Sequence, residues 1–152
     1  MMINVPQARP QWMADHIKLY YEDPEKAHMW DSSLGGGAGM LATLLLVSKG
    51  RQSGEDRPSP LIYRKIGNDY VVIASKGGAP AHPSWFLNLQ AEPNCGIRVG
   101  PRQFSAKARV ATGDERAAKW AALAEIYPPY EEYQVRAGDR EIPVVVLEVQ
   151  GS

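Results

Sequence analysis

The sequence consists largely of short apolar segments that tight turns join into hairpins. Gly67-Asn68 stands between two strand-like segments, 60–66 and 69–75, and predicts a two-residue hairpin turn of type I′. Hairpins pair antiparallel strands, and the sequence lacks the regular β-α-β alternation of a parallel sheet. The pattern therefore predicts an antiparallel barrel. Its six predicted strands are residues 41–48, 60–66, 69–75, 96–99, 103–111 and 142–149.

Helical patterns precede and interrupt the predicted barrel. Residues 11–30 carry apolar side chains at helical spacing, with a break at Pro24, where Asp23 is suited to cap a second short helix through Trp30. The other predicted helices are residues 84–89, 113–126 and 131–136. We therefore expect an α+β fold with peripheral helices. Residues 1–40 form an N-terminal helical segment with the glycine-rich linker 35–39, and residues 41–150 form the barrel domain.

Composition excludes several classes of protein. The 152 residues fit one domain, and 17 basic against 17 acidic residues give no net charge to attract nucleic acid. The longest apolar run, 40–47, is far shorter than the roughly 20 residues of a membrane-spanning helix. Residues 1–10 lack the pattern of a signal peptide. We expect a cytoplasmic protein without integral membrane contact, and we make no prediction of oligomeric state.

Two local features have alternative interpretations. The aromatic N-terminal segment is expected to cover one end of the core, and contact with a lipid surface is the alternative. Four acidic residues argue against that alternative: Asp15, Glu22, Asp23 and Glu25. The single cysteine, Cys95, cannot form an intramolecular disulfide and is expected to be a small buried hydrophobe beside a strand rather than a nucleophile.

Metal, hydrolase and dinucleotide sites are not indicated. The three histidines, His16, His28 and His82, lie far apart without cysteine or paired-carboxylate companions at metal-ligand spacing. No G-x-S-x-G elbow occurs, and the glycines of 35–39 are not followed by a dinucleotide fingerprint.

The segment 74–89 is the most informative loop of the chain. It leaves a strand, passes Lys76 and a Gly77-Gly78 pair, and enters the predicted helix 84–89. The two glycines permit positive φ and close approach of a ligand to the main chain. Successive N–H groups in such a turn can form an anion-binding nest, to which Lys76 adds a full charge. A tight strand-to-helix turn with a solvated lysine is the alternative.

Positive charge is concentrated on the first hairpins. The basic residues there are Lys49, Arg51, Arg57, Arg64, Lys65 and Lys76, against Glu55, Asp56 and Asp69. Arg51 and Arg57 lie in a polar turn, 49–58, whose Ser53 adds a hydroxyl. Guanidinium groups bind carboxylate and phosphate with two parallel hydrogen bonds, so the cluster suits a polyanionic small molecule. A solvated hairpin tip is the alternative.

Six sequence blocks occur together and in order. They are 50–54 (GRQSG), 57–63 (RPSPLIY), 74–80 (ASKGGAP), 82–89 (HPSWFLNL), 127–134 (YPPYEEYQ) and 140–144 (REIPV). Over residues 41–149 the chain resembles the deazaflavin (coenzyme F420)-dependent nitroreductase and F420H2-dependent quinone reductase family of actinobacteria. The resemblance implies a split antiparallel β-barrel related to the FMN-binding fold. It also implies hydride transfer from reduced F420 to quinones, nitroaromatics and activated enones or lactones.

The resemblance implies roles for particular residues. Arg51, Ser53, Arg57 and Lys76 are expected to contact the phosphate and glutamate-bearing tail of F420. The ring is expected to lie along Pro60, Leu61, Ala74 and the backbone of Ser75, Lys76, Gly77 and Gly78, with Trp85 and Asn88 bracing the pocket. Tyr127, Tyr130 and Tyr133 are expected on the substrate side, where Tyr130 or Tyr133 would donate a hydrogen bond or proton to the developing oxyanion.

Two positions depart from the family pattern. Gln52 stands where lysine is usual, which removes one cationic contact, and Phe86 replaces a common tyrosine. Two alternatives also remain. An FMN-dependent reductase of the same fold is less favoured, because several arginines suit a longer anionic tail. A non-enzymatic F420 carrier is less favoured, because three tyrosines indicate a substrate wall.

Overall fold

The computed structural model describes residues 10–151, apart from the side chain of Leu34. Nearly all of segment 1–10, which lacks the signal-peptide pattern, therefore lies outside the described residues. The helices are α1 (Gln11–Glu22), α2 (Pro24–Ala27), α3 (Ser84–Ala91), α4 (Gly113–Ile126) and α5 (Pro129–Ala137). The strands are β1 (Met29–Asp31), β2 (Met40–Lys49), β3 (Asp56–Ile62), β4 (Arg64–Ile66), β5 (Asp69–Ile73), β6 (Asn94–Val99), β7 (Arg102–Val110) and β8 (Val144–Gly151).

The strands form one antiparallel sheet that curls into a split barrel. Its order is β1-β2-β6-β7-β8-β5-β4, and β3 pairs with β2 off this path. β3 and β4 follow each other with only Tyr63 between them, yet β3 pairs with β2 and β4 pairs with β5. The continuous segment β3–β4 therefore pairs with β2 at one end and with β5 at the other, and this connection curves the sheet. The predicted split antiparallel β-barrel with peripheral helices is confirmed.

The strand β5, which lies between β8 and β4, is buried on both faces. Tyr70 and Val72 point into the barrel, where they pack with Trp85 and other residues of α3. Val71 and Ile73 alternate with them and pack beneath α4 and α5. The two clusters meet at β5, so the chain is packed on both sides up to the loop that follows it.

The N-terminal helices cover the outer surface of β2. Tyr20 is fully buried, and its hydroxyl donates to the Thr43 carbonyl at 2.7 Å and accepts from the Gly100 N–H at 3.2 Å. Trp12 and Tyr21 are in contrast 43% and 49% exposed. The expectation that the aromatic residues of this segment cover the core is therefore correct for Tyr20 and wrong for Trp12, and Tyr21 also lies at the surface. No helix among residues 10–151 is long and apolar enough to cross a membrane, and cytoplasmic location stays a prediction.

Eight strands are present where the sequence predicts six. Trp30 lies in β1 and not in a helix, because Met29–Asp31 pairs with Met40–Ala42 of β2. Pairing with β2 also draws Asp56–Ile62 into a strand, so the predicted turn 49–58 is shorter than expected. Pro58 and Pro60 are tolerated there because β3 pairs with β2 alone. The predicted strand 60–66 is interrupted at Tyr63.

The remaining differences are local. Ile66 pairs with Asp69, which confirms the two-residue hairpin. Its turn has φ +65° at Gly67, whereas Asn68 is not among the residues with positive φ. Type I′ was therefore wrong, and glycine at the first central position suits type II′. α4 ends at Ile126, and the nine-residue α5 starts at Pro129, two residues before the predicted helix 131–136.

Cys95 lies within β6 and packs against the barrel core. Its Sγ lies 3.6 Å from the Ala106 carbonyl oxygen, and burial raises the pKa of its thiol to about 11. The thiol therefore stays protonated near neutral pH, which agrees with its predicted role as a small hydrophobe.

Candidate cofactor and substrate site

The loop after β5 presents free main-chain donors. Ser75 is in the right-handed helical region (φ −79°, ψ −39°), and Lys76 follows with φ +48°. An αR residue followed by an αL residue turns successive N–H groups into one concavity. The N–H groups of Ser75, Lys76 and Gly77 make no hydrogen bond to any other residue in the described part of the chain. These three groups, called the amide nest below, are suited to a negatively polarised oxygen.

Lys76 carries backbone strain at this point. It is the one non-glycine residue between 10 and 151 that has positive φ. Such a conformation costs on the order of 1–3 kcal/mol and is kept where the surrounding structure enforces it. The Lys76 side chain is exposed and forms no ion pair with a described residue. Its ammonium group is therefore free to meet an anion beside the amide nest.

Two arginines outside the loop hold its shape. Arg140, which precedes β8, donates to the carbonyl oxygens of Ala74, Ser75 and Ala79. Arg136 of α5 donates to the Gly77 carbonyl at 3.0 Å. Sequence reasoning assigned neither residue a role. The available signal was the position of Arg140 in the matched block 140–144, whereas exposed Arg136 carried no signal.

Gly78 anchors the loop to α5. Its φ is +82°, and a Cβ built there would lie 2.6 Å from the Tyr133 carbonyl oxygen and 2.9 Å from the Tyr133 Cα. Gly77 in contrast has open space around the same position. Gly77 therefore faces open space, whereas Gly78 permits close contact between the loop and α5.

The β2–β3 turn brings Arg51 to α3. The Asn88 side-chain oxygen accepts from the Arg51 N–H at 3.2 Å and from the Arg51 Nη1 at 2.8 Å. Asn88 is 3% exposed, and its amide nitrogen donates to the Ser48 hydroxyl at 3.3 Å. Asn88 thus orients Arg51 without neutralising it, and the bracing role predicted for Asn88 has a physical basis.

The other basic residues of this region have local partners. Lys49 pairs with Asp56 at 2.5 Å, and Arg64 pairs with Glu125 at 2.7 Å. Arg57 lies 3.8 Å from Glu55 and donates to the Ser53 hydroxyl at 3.2 Å. Lys65 lies over the Tyr70 ring. Among the described residues, the two predicted cofactor cations without a carboxylate partner are Arg51 and Lys76.

The residues predicted along the ring differ in accessibility. Pro60 and Leu61 are half-buried in β3, opposite Leu45 and Leu44 of β2. Ala74 is fully buried, so only its backbone borders the loop. Trp85 is 9% exposed within the barrel cluster and packs edge-on against Phe86. Trp85 is therefore held chiefly by packing within the barrel.

Two of the three predicted substrate tyrosines are bound to the N-terminal segment. The Tyr127 and Tyr133 hydroxyls lie 2.6 and 3.0 Å from the Gly35 carbonyl oxygen and 2.9 Å from each other. With one proton each, the two phenols satisfy Gly35 and one another. Burial, reinforced by Tyr133, raises the pKa of Tyr127. These hydroxyls are thus engaged within the protein.

Tyr130 differs from its neighbours. Its ring is 4% exposed and packs at 4.9 Å from the Tyr127 ring, while its hydroxyl has no hydrogen-bond partner among the described residues. Among the described residues, every fully buried side-chain oxygen has a hydrogen-bond partner. Because the Tyr130 hydroxyl has none, it belongs to the small exposed part of that side chain. Burial raises the pKa of Tyr130, with Tyr127 and Tyr133 adding to the effect. Tyr130 therefore presents a protonated phenol with a free donor.

Two surface depressions lie away from these residues. One, of about 530 Å³, lies between β4 and α4 around Arg64, whose guanidinium is held by Glu125 and the Ala122 carbonyl. The other, of about 280 Å³, lies beside Trp12 and Trp30 at the N-terminal segment. Neither lining includes a predicted cofactor residue, so the loop after β5 remains the better candidate site.

The fold places the protein in the class of FMN-binding-type split barrels. A heme-binding protein from Mycobacterium smegmatis shares this fold at 21% identity, with a TM-score of 0.57 over 84% of this chain and 51% of that chain. A solved F420-H2-dependent reductase is more similar, with 39% identity and a TM-score of 0.65 over 70% of this chain and 93% of that chain.

The sequence comparisons identify the family. The family model of F420H(2)-dependent quinone reductases matches residues 19–149. A putative F420H(2)-dependent quinone reductase of Mycobacterium tuberculosis is 35% identical over 114 residues, 73% of this chain and 95% of that protein. Another F420H(2)-dependent quinone reductase of that organism is 39% identical over 112 residues, 72% of this chain and 74% of that protein. The chain belongs to the F420H(2)-dependent quinone reductase family, and is therefore an F420-dependent oxidoreductase with reduced F420 as hydride donor.

Proposed function

We propose that this protein transfers a hydride from reduced F420 to quinones and to other electron-poor small molecules, namely nitroaromatics and activated enones or lactones. Family membership supports quinones as acceptors. The observation that carries the assignment of the cofactor to this site is the amide nest at Lys76, whose charge no described carboxylate neutralises. A nest with a free cation is suited to a cofactor that bears both carbonyl and anionic oxygens.

The site residues fit F420 by their donor chemistry. Arg51, Ser53, Arg57 and Lys76 would hold the phosphate and glutamate-bearing tail, through charge and hydrogen bonds. The amide nest, with Gly78, Ala74, Pro60 and Leu61, would lie along the ring, and Trp85 and Asn88 would support both parts from α3. When bound, reduced F420 supplies the hydride, while the protein supplies orientation and electrostatics.

FMN and carrier functions are less supported. The phosphate of FMN would use few of the available cations, whereas a longer anionic tail carries enough negative groups to pair with both Arg51 and Lys76. A carrier would need no donor on the acceptor side, and the Tyr130 hydroxyl, which has no hydrogen-bond partner among the described residues, would have no use in it.

Tyr130 is proposed as the donor on the substrate side. Negative charge develops on the conjugated oxygen of the acceptor as hydride arrives, and a fixed hydroxyl stabilises that charge. Because burial raises the pKa of Tyr130, its phenol holds its proton and acts as a hydrogen-bond donor. Solvent then supplies the proton. The Tyr133 hydroxyl is less suited to this role because it is bound to Gly35 and Tyr127.

Replacing Tyr130 with phenylalanine is expected to lower kcat with a quinone by about 100-fold, as for loss of one oxyanion donor. The dissociation constant for F420 should stay within about twofold of wild type, because the ring and its packing remain. Stopped-flow oxidation of the reduced cofactor measures the rate, and fluorescence titration measures the affinity.

Tyr127→Phe is the matched comparison. It also removes one hydroxyl, but that hydroxyl binds Gly35, so we expect lower thermal stability and a smaller loss of kcat. Equal losses of kcat in both variants, or parallel losses of kcat and F420 affinity in Tyr130→Phe, would contradict the donor role of Tyr130.

A further inference from the structure

The Arg140 side chain makes four contacts with residues 74–82, the loop after β5 that is called the cofactor loop below. Its Nε donates to the Ala79 carbonyl at 2.8 Å, and its Nη2 donates to the Ser75 carbonyl at 2.6 Å. Its Nη1 lies 3.1 Å from the Ala74 carbonyl oxygen and 2.9 Å from the His82 Nδ1. One planar guanidinium thus joins four points of the loop between Ala74 and His82.

These contacts determine where the loop amides point. In a trans peptide, the carbonyl of one residue and the N–H of the next are directed oppositely. Since Arg140 draws the Ala74 and Ser75 carbonyls toward itself, the N–H groups of Ser75 and Lys76 point away from it. Those groups are two of the three in the amide nest, and they have no partner among the described residues.

The contact to His82 fixes the form of that ring. An arginine has no acceptor, so the Nδ1 of His82 must accept from Arg140 and the proton of the neutral ring lies on Nε2. Burial, together with the charge of Arg140, lowers the pKa of His82 and favours this neutral form. The His82 ring also packs against Phe86 of α3, at 4.8 Å between centroids. Arg140 therefore connects the loop to α3 as well.

The charge of Arg140 is not neutralised by an acidic neighbour. It is half-buried and has no ion pair to a carboxylate of the described residues, while the adjacent Glu141 lies 3.6 Å from Arg116. All four of its partners are neutral acceptors. A positive charge directly behind the amide nest increases the attraction of the nest for a negatively polarised oxygen.

We propose that Arg140 is the positioning residue of the cofactor loop, with His82 as its partner: it aims the Ser75 and Lys76 amides at the cofactor and adds positive charge behind them. This inference rests on the proposed function, because it assigns the cofactor to the amide nest. It predicts that Arg140 governs F420 affinity without touching F420.

The test is the dissociation constant for F420 of Arg140→Lys, measured with the thermal unfolding midpoint. Lysine keeps the charge but has a single nitrogen that cannot span the carbonyls of the loop. We expect the dissociation constant to rise by about tenfold or more, because a pre-organised site is lost. Arg116→Lys is the control, since Arg116 also donates to a carbonyl, that of Ile142, at 2.7 Å, but lies outside the loop.

The result expected for Arg116→Lys is a lower unfolding midpoint with wild-type F420 affinity. If Arg140→Lys binds F420 within about twofold of wild type, or if both variants lose affinity equally, Arg140 is structural only and the inference is wrong. If wild type itself does not bind F420, the proposed function fails first.

Two variants of His82 test the same idea without altering Arg140. His82→Phe keeps the ring on Phe86 but removes the acceptor, and we expect it to weaken F420 binding. His82→Asn restores an acceptor oxygen and should recover most of the loss. Equal F420 affinities of these two variants would contradict the inference. This comparison remains valid if Arg140→Lys does not fold.

Discussion

Replacing Gly78 with alanine is expected to lower the free energy of unfolding by about 3 kcal/mol or more, from left-handed strain and overpacking together. The backbone has φ +82°, and the added methyl group would meet the Tyr133 carbonyl oxygen and Cα at 2.6 and 2.9 Å. Those atoms belong to the backbone of α5 and cannot rotate away. The loop must then separate from the helix, so F420 binding should be lost together with stability.

Gly77→Ala is the control for this prediction. Gly77 lies in the left-handed region (φ +63°, ψ +18°), but the space where its Cβ would lie is open. Only the conformational cost of about 1–2 kcal/mol should appear. Urea denaturation of both variants gives the comparison, and equal losses would show that contact between Gly78 and α5 is unimportant.

Replacing Arg51 with alanine is expected to raise the dissociation constant for F420 by about 10- to 100-fold, as for loss of a hydrogen bond to a charged group. Arg51 is exposed, lacks a carboxylate partner among the described residues and is oriented by Asn88. Its loss should therefore remove affinity with little effect on the unfolding midpoint. The difference from wild type should shrink as salt is added, because exposed charges are screened.

Arg51→Lys separates charge from geometry. Lysine retains the positive charge but cannot both bind Asn88 and present a planar fork to an anion. We expect a loss of affinity between those of wild type and Arg51→Ala. Lys107→Ala, which removes an exposed cation from β7, is the charge control and should bind F420 as wild type does. Wild-type affinity in Arg51→Ala would contradict the assignment of this residue to the cofactor tail.

The barrel was predictable because its signals are local. The Gly67-Asn68 hairpin, the β-branched run of β5 and the absence of β-α-β units each follow from neighbouring residues. The strand β1 was missed because only its pairing with β2 makes Trp30 extended. Tertiary pairing of this kind overrides local propensity, so the residues next to Trp30 in the sequence do not indicate a strand there.

The site was predictable only in part for a similar reason. Lys76, Gly77 and Gly78 could be found because glycine marks unusual backbone, and Arg51 because it lies in a recognisable block. Sequence spacing did not reveal that the Tyr127 and Tyr133 hydroxyls are bound to Gly35, almost one hundred residues away, while that of Tyr130 stays free. Nor did it place Arg140 behind a loop about sixty residues earlier in the chain.

The most direct test of the central claim is titration of the protein with F420 and, in parallel, with FMN. Intrinsic tryptophan fluorescence reports binding through Trp85 of α3, and a Trp85→Phe variant identifies its share of the signal. The account predicts saturable quenching by F420 at micromolar concentrations or below and no saturable response to FMN. Saturable binding of FMN without binding of F420 would contradict it and assign the protein to the flavin-dependent reductases of the same fold.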